Sequence, residues 1–126
     1  MEINKPEIKA EVEQQFRRYE AALVGNDVKT LDELFHRDEN TIRYGASENL
    51  YGYAEIMAFR GQRPSKNLAR RLERTVITTY GHDMATAMTL FRRDTTMLIG
   101  RQSQTWVRFA MGWKIVAAHV SLMSEG

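Results

Sequence analysis

Ile99-Gly100-Arg101-Gln102-Ser103-Gln104-Thr105-Trp106-Val107-Arg108-Phe109, then Ala110-Met111-Gly112, then Trp113-Lys114-Ile115-Val116-Ala117-Ala118-His119-Val120-Ser121-Leu122-Met123 is the stretch whose reading decides the fold. Its β-branched and aromatic residues, on either side of a Gly-containing turn, predict two long strands in a hairpin. On the second strand Trp113, Ile115 and Ala117 share a face with His119 and Ser121, while Val116, Ala118, Val120 and Leu122 share the other. A face that begins apolar and ends polar predicts a sheet lining a pocket, because a buried imidazole or hydroxyl left unpaired costs about 1–3 kcal/mol.

Working back from the hairpin, the period of two extends to residue 69. Thr75-Val76-Ile77-Thr78-Thr79-Tyr80 and a segment over 84–93 flank the turn Gly81-His82-Asp83. Before residue 69 the period is helical. Asn4 and Glu7, with Pro6 between them, resemble a capping box, and Ile8, Val12, Phe16, Tyr19 and Leu23 follow at helical spacing. Gly25 supplies a left-handed stop, and Asn26 or Asp27 caps a second helix that buries Val28, Leu31, Leu34 and Phe35. A short strand over 41–44 ends at Gly45, and a polar loop covers 46–49. A third helix after Gly52 turns Ala54, Ile56, Met57 and Phe59 inward, with Arg60 and Arg63 near its end. The expectation is one α+β domain over 1–126, with three N-terminal helices packed on a curved antiparallel sheet and one short early strand.

Composition narrows the function classes. A chain of 126 residues with 43% hydrophobic content suits one soluble domain, and the absence of cysteine removes disulfides, thiolate nucleophiles and Cys-ligated metals. No apolar run is long enough to span a bilayer, and the N-terminus lacks the pattern of a signal peptide, so no membrane partner and a cytoplasmic location are expected. A net charge of +2 argues against a nucleic-acid binder. Thirteen of the eighteen basic residues are arginine. Their planar forks suit carboxylates and point to a small anionic metabolite, the alternative being a solvated surface.

The order of elements resembles the nuclear transport factor 2-like (SnoaL-like, cystatin-like) cone. Arg43-Tyr44-Gly45, Glu48-Asn49-Leu50-Tyr51-Gly52, Phe59-Arg60, Arg63-Pro64, the run from Arg74 to Gly81 and the run from Gly100 to Trp106 resemble the AtzH-like family. That family includes proteins named for oxalurate catabolism, HpxZ. The resemblance implies a cytoplasmic homodimer in purine or nitrogen catabolism that hydrolyses an amide or ureido bond of a small anionic ureido carboxylate, 1,3-dicarboxyurea-like or from the oxalurate pathway. It also implies that Tyr19 and Arg43 are active-site groups, with Arg43 binding a carboxylate.

Individual residues carry both a functional and an ordinary reading. Ile42 in the core would send Arg43 to the other face of its strand, where it is either a pocket group or a solvated charge. Tyr19 lies on the apolar stripe of the first helix, and its hydroxyl serves either a backbone carbonyl or the substrate carbonyl. His119 is a pocket-wall proton carrier or a structural histidine, and Ser121 beside it is too nearly parallel to form a nucleophile–base pair. Gln104 with Trp106 is the preferred pocket face of the preceding strand, because an amide both donates to and accepts from a ureido group. Glu48 would orient Arg43, and Arg60 and Arg63 would help hold the ligand. His36, His82 and His119 have no metal-ligand spacing, so neither metal nor cofactor is expected. The alternative to catalysis is a binding or accessory protein of an amidohydrolase pathway. A steroid-isomerase-like reading ranks last, since it needs a pocket Asp and both Asp38 and Asp83 fall in turns.

Overall fold

The apolar stripe of the first helix is buried in the computed structural model, which describes residues 1–125. Helix α1 (Pro6–Val24) buries Ile8, Val12, Phe16, Tyr19 and Leu23, together with Ala22. Its start is not the expected capping box, for Lys5 stands at the N-cap and no side chain caps the helix. Asn4 serves a strand instead: in the left-handed region at φ 59°, it donates its N–H to Thr79 O at 3.0 Å and accepts from Thr79 N on Oδ1 at 2.9 Å. Pro6, which has no N–H, leaves less for a cap to satisfy. At the other end the left-handed turn falls on Asn26 (φ 52°) and not on Gly25 (φ −85°). Asp27 caps α2 (Val28–Leu34), accepting from Thr30 N at 3.2 Å and from Thr30 Oγ1 at 2.7 Å.

Two strands, β1 (Ile42–Tyr44) and β2 (Asn49–Tyr51), precede α3 (Tyr53–Gln62), so the helices do not all come before the sheet. The inward stripe of α3 is also displaced from expectation. Ile56 and Arg60 are buried, while Ala54 and Met57 are exposed. Polar anchoring to α2 accounts for this rotation: Tyr53 Oη donates to Asp32 O at 2.9 Å, and Arg60 Nη1 donates to Asp32 Oδ1 at 2.5 Å.

The meander β3 (Arg71–Tyr80), β4 (Met84–Arg92), β5 (Ile99–Phe109) and β6 (Gly112–Met123) is antiparallel, in sheet order β2-β1-β6-β5-β4-β3. Because β1 runs parallel to β6, the six-stranded sheet is mixed and not antiparallel throughout. Three residues are too few for alternation to reveal β2 in the sequence. It forms by folding back on β1 through a turn in which Gly45 N donates to Glu48 O at 2.8 Å.

The register of β6 contains the feature that most alters the reading of the hairpin. Thr105 pairs with Ala117 but Trp106 pairs with Ile115, leaving Val116 as an extra residue, a β-bulge. Trp113 and Ile115 face the helices, and beyond the bulge that face continues through Ala118 and Val120. Ala117, His119 and Ser121 consequently lie on the outer face. A one-residue slip inverts every side chain after it.

The helices cover the inner face, and their stripes join Leu50, Ile77, Ala85, Ala87, Trp106, Trp113, Ile115 and Ala118 in one core. On the same face the buried Phe91 ring lies so close to Gly100 that a Cβ there would come within 2.1 Å of it. Gly100→Ala should therefore lower unfolding free energy by about 1–3 kcal/mol, the usual cost of overpacking, measurable by urea denaturation.

Candidate functional site

A cavity of 170 Å³ lies between α1, α3 and the inner face of the sheet. Tyr19 and Leu23 project into it from α1, Phe59 and Arg63 from α3 and its C-cap, and Arg43 from β1, with Arg93 following β4 and Gln102 on β5. Arg43 reaches it because its cross-strand neighbours Leu50 and Ala118 both face the core. Ile42 instead pairs with Tyr51 and Ala117 toward the outer face, the reverse of the expected parity.

Four guanidinium groups converge here with unequal compensation. Arg70, its side chain 2% exposed, donates from Nε and Nη2 to the Glu20 carboxylate at 2.8 and 2.6 Å, and from Nη2 to Gln102 Oε1 at 3.0 Å. Arg43 Nη1 is 3.5 Å from Glu48 Oε1, so Glu48 does stand where it can orient that guanidinium. Arg63 and Arg93 have no carboxylate partner among the described residues. Arg63 Nη2 donates to Asn26 Oδ1 at 3.2 Å, and Arg93 Nε donates to Asn67 O at 3.1 Å. Burial lowers the pKa of Arg63, and the nearby Arg60 and Arg43 charges lower it further against the opposing influence of Tyr19. Burial and Arg70 do the same to Arg93, partly offset by Glu20. The Arg70 and Arg93 guanidiniums lie 4.5 and 4.9 Å from the Phe91 ring centroid, so the ring seated at Gly100 supports both.

Two further donors in this wall are unsatisfied. Arg63 Nε and Gln102 Nε2 are buried without a hydrogen-bond partner. The Tyr19 hydroxyl likewise makes no hydrogen bond to the protein among the described residues, although the residue is buried. A ligand rich in acceptors and carrying negative charge would satisfy all of these groups together.

The structure thus brings Tyr19, Arg43, Glu48 and Arg63 together, and separates the other candidates. Arg60 lies beside the cavity, but its charge is engaged by Asp32 and its guanidinium is 4.8 Å from the Phe35 ring centroid. Gln104 and Trp106 do not line the cavity. They are sealed in the core, where Trp106 Nε1 donates to Gln104 Oε1 at 3.0 Å. His119 and Ser121 are on the other side of the sheet because of the Val116 bulge. There the His119 ring meets Tyr44 edge-on at 5.6 Å, and Ser121 Oγ accepts from Arg101 Nε at 3.1 Å. Arg70, Arg93 and Gln102 were missed in the sequence reading. Gln102 shares its strand face with Gln104 and Trp106, so parity could have found it, whereas nothing in Arg70-Arg71 or Arg92-Arg93 distinguishes the inward member. Among the described residues no three His, Asp or Glu side chains converge as a metal site, and no helix is long and apolar enough to cross a membrane.

Helices over one face of a curved mixed sheet, with a cavity between them, define a protein of the nuclear transport factor 2-like, cystatin-like fold. The chain is similar over 97% of its length to a protein of unknown function from Pectobacterium atrosepticum, with 62% identity, 95% of that chain covered and a TM-score of 0.96. It is also similar to a cystatin-like fold protein from Burkholderia xenovorans, with 48% identity, 100% and 99% of the two chains covered and a TM-score of 0.97. A nuclear transport factor 2-like protein from Salmonella enterica shares 25% identity over 94% of each chain, with a TM-score of 0.72. No curated protein matches the chain. The AtzH-like family profile matches residues 1–126, and the chain belongs to that family.

The contrast between neighbouring arginines is testable by denaturant unfolding. Arg60→Ala leaves Asp32 unpaired in a largely buried position, and about 3 kcal/mol should be lost, toward the low end for breaking a buried pair because Asp32 keeps some solvent contact. Arg63→Ala removes a partly buried charge that no carboxylate neutralises, and stability should hold or rise.

Proposed function

We propose that the cavity binds a small ureido carboxylate and hydrolyses its amide or ureido bond with water. One observation carries the binding half of this reading: two buried donors without partners, Arg63 Nε and Gln102 Nε2, adjoin guanidiniums that lack carboxylates. Arg43 and Arg63 would hold the ligand carboxylate, while the Tyr19 hydroxyl and Gln102 Nε2 would donate to the carbonyl. Gln102 takes the role first given to Gln104, which lies sealed in the core. Water oxygen bonds to the carbonyl carbon and passes a proton to Glu48, the carboxylate in the cavity wall. The C–N bond then breaks and the leaving nitrogen takes up that proton. Orientation and stabilisation of the developing oxyanion supply most of the rate. Membership of the AtzH-like family supports a substrate from ureido-compound degradation, either 1,3-dicarboxyurea-like or an oxalurate-pathway acid of purine catabolism.

The second reading, a binding or accessory protein that does not turn its ligand over, is favoured by the position of His119, which leaves Glu48 as the proton acceptor on hand. Thermal-shift titration against ureido acids, followed by product assays on the same samples, separates the two. Saturable stabilisation without product would establish binding alone, and absence of both would overturn the first reading. With turnover, Tyr19→Phe should lower kcat about 100-fold, as for loss of one oxyanion donor. Arg63→Ala should raise KM about tenfold or more, and His119→Ala should leave both parameters within about twofold. The homodimer we place on the outer sheet face, where Val76, Met84 and Met88 are exposed. Light scattering should return twice the chain mass, and Met88→Lys should return the single mass.

A further inference from the structure

Arg70 is paired with Glu20, yet a further hydrogen bond from the same guanidinium reaches a side-chain amide of the cavity wall, that of Gln102. We propose that Arg70 is a positioning residue: it fixes the Gln102 amide with its nitrogen toward the cavity, so that the site takes an oxygen acceptor of the ligand at this point and rejects an N–H donor there. This assignment rests on the reading of the cavity as a ureido carboxylate site.

Hydrogen-bonding capacity dictates the orientation. A guanidinium has five N–H donors and no acceptor, whereas a primary amide has one end of each kind. Arg70 Nη2 lies 3.0 Å from Gln102 Oε1. Turning the amide over would set two donors against each other at that distance, in a buried place where neither finds water. The oxygen therefore meets Arg70 and the nitrogen points away from it. Nε2 is buried, has no hydrogen-bond partner among the described residues and belongs to a side chain that lines the cavity.

Arg70 can impose this orientation because its own is fixed. Nε and Nη2 engage the Glu20 carboxylate at 2.8 and 2.6 Å, a two-point pair that sets the guanidinium plane. The Phe91 ring supports the guanidinium at 4.5 Å, and that ring lies against Gly100, two residues before Gln102 on β5. Gln102 is held in turn by its strand, opposite Thr89 on β4 and Val120 on β6. Glu20 cancels the charge of Arg70, so what Arg70 gives the site is direction, while Arg43, Arg63 and Arg93 supply the attraction for an anion.

The test compares ureidoacetate with guanidinoacetate on the full chain by calorimetric titration. The two probes share a shape and a carboxylate, but the ureido oxygen of one is an N–H donor in the other. The cavity arginines repel the guanidino cation in every variant, so the quantity read is the change in the ratio of the two dissociation constants. Arg70→Met combined with Glu20→Gln removes the ion pair without stranding a charge and frees the amide to turn over. The preference for ureidoacetate should then fall about tenfold. Gln102→Glu keeps an acceptor for Arg70 and puts a second acceptor where Nε2 stood, and the preference should fall at least as far. A merely structural Arg70 would weaken both probes alike, so an unchanged ratio in either variant would overturn the proposal. Neutron diffraction from the unliganded, deuterium-exchanged protein reads the orientation directly: both Gln102 amide deuterons should lie on the cavity side, and deuterons facing Arg70 would overturn it. Failure of both probes to bind the wild-type chain would count against the ureido carboxylate reading, and the deuteron positions would then decide the role of Arg70 by themselves.

Discussion

The extra residue in β6 is the constraint on which the functional layout depends. Without Val116 opposite the step from Thr105 to Trp106, regular alternation would carry the Trp113 and Ile115 face on to Ala117, His119 and Ser121. The imidazole and hydroxyl would then face the helices and compete for room with the arginines. With the bulge, Ala118 and Val120 occupy the inner face, and their small and apolar side chains leave the space into which Arg43, Arg63 and Gln102 project. Trp106 and Gln104 plug the sheet just beyond, which closes that end of the core with one internal hydrogen bond.

Electrostatics divides the arginines around α1 and α3 into those that build and those that wait. Asp32 neutralises Arg60 and Glu20 neutralises Arg70, and both guanidiniums are nearly solvent-free, so breaking either pair would strand a buried charge. Arg63 and Arg93 sit between these pairs with only amide and carbonyl acceptors. Their lowered pKa values record an unfavourable environment for a cation, chiefly from burial and secondarily from one another's neighbours. Such an arrangement costs stability in the empty protein and would return it on binding an anion, as expected of a binding site and not of a structural ion-pair network.

Much of the fold is legible because burial imposes a period on the chain. The stripe of α1 from Ile8 to Leu23, a cap at Asn26 or Asp27, the turn at Gly81 and the long hairpin each follow from spacing alone, and the structure puts the cap on Asp27. The parts that escape reading are those where a nonlocal contact overrides the local pattern. Asn4 forsakes the helix for Thr79, α3 rotates to satisfy Asp32, and three-residue β2 exists only because β1 is there to pair with it. At the site, the burial of Tyr19 follows from its stripe, and Glu48 and Arg63 stand beside turns, whereas the roles of Tyr19 and Arg43 are implied by the family resemblance and not by spacing. Arg70, Arg93 and the fate of His119 are not legible, because one-residue choices of face at strand ends and bulges leave no mark in composition or period.

The pleat of β5 ties the two faces together. Gln102 and Gln104 point in, Arg101 and Ser103 point out, and Gly100 leaves room for Phe91, which in turn supports Arg70 and Arg93. Five consecutive polar residues in a central strand look excessive for a core element until each parity is given its own task. Of the inner amides, Gln102 lines the cavity and holds Arg70 while Gln104 is sealed in the core against Trp106, and the outer residues present hydrogen-bonding groups and an uncompensated charge. A register slip in this strand would disturb both faces at once. Its pairing is correspondingly the most secured in the sheet, with β4 on one side and β6 on the other along nearly its whole length.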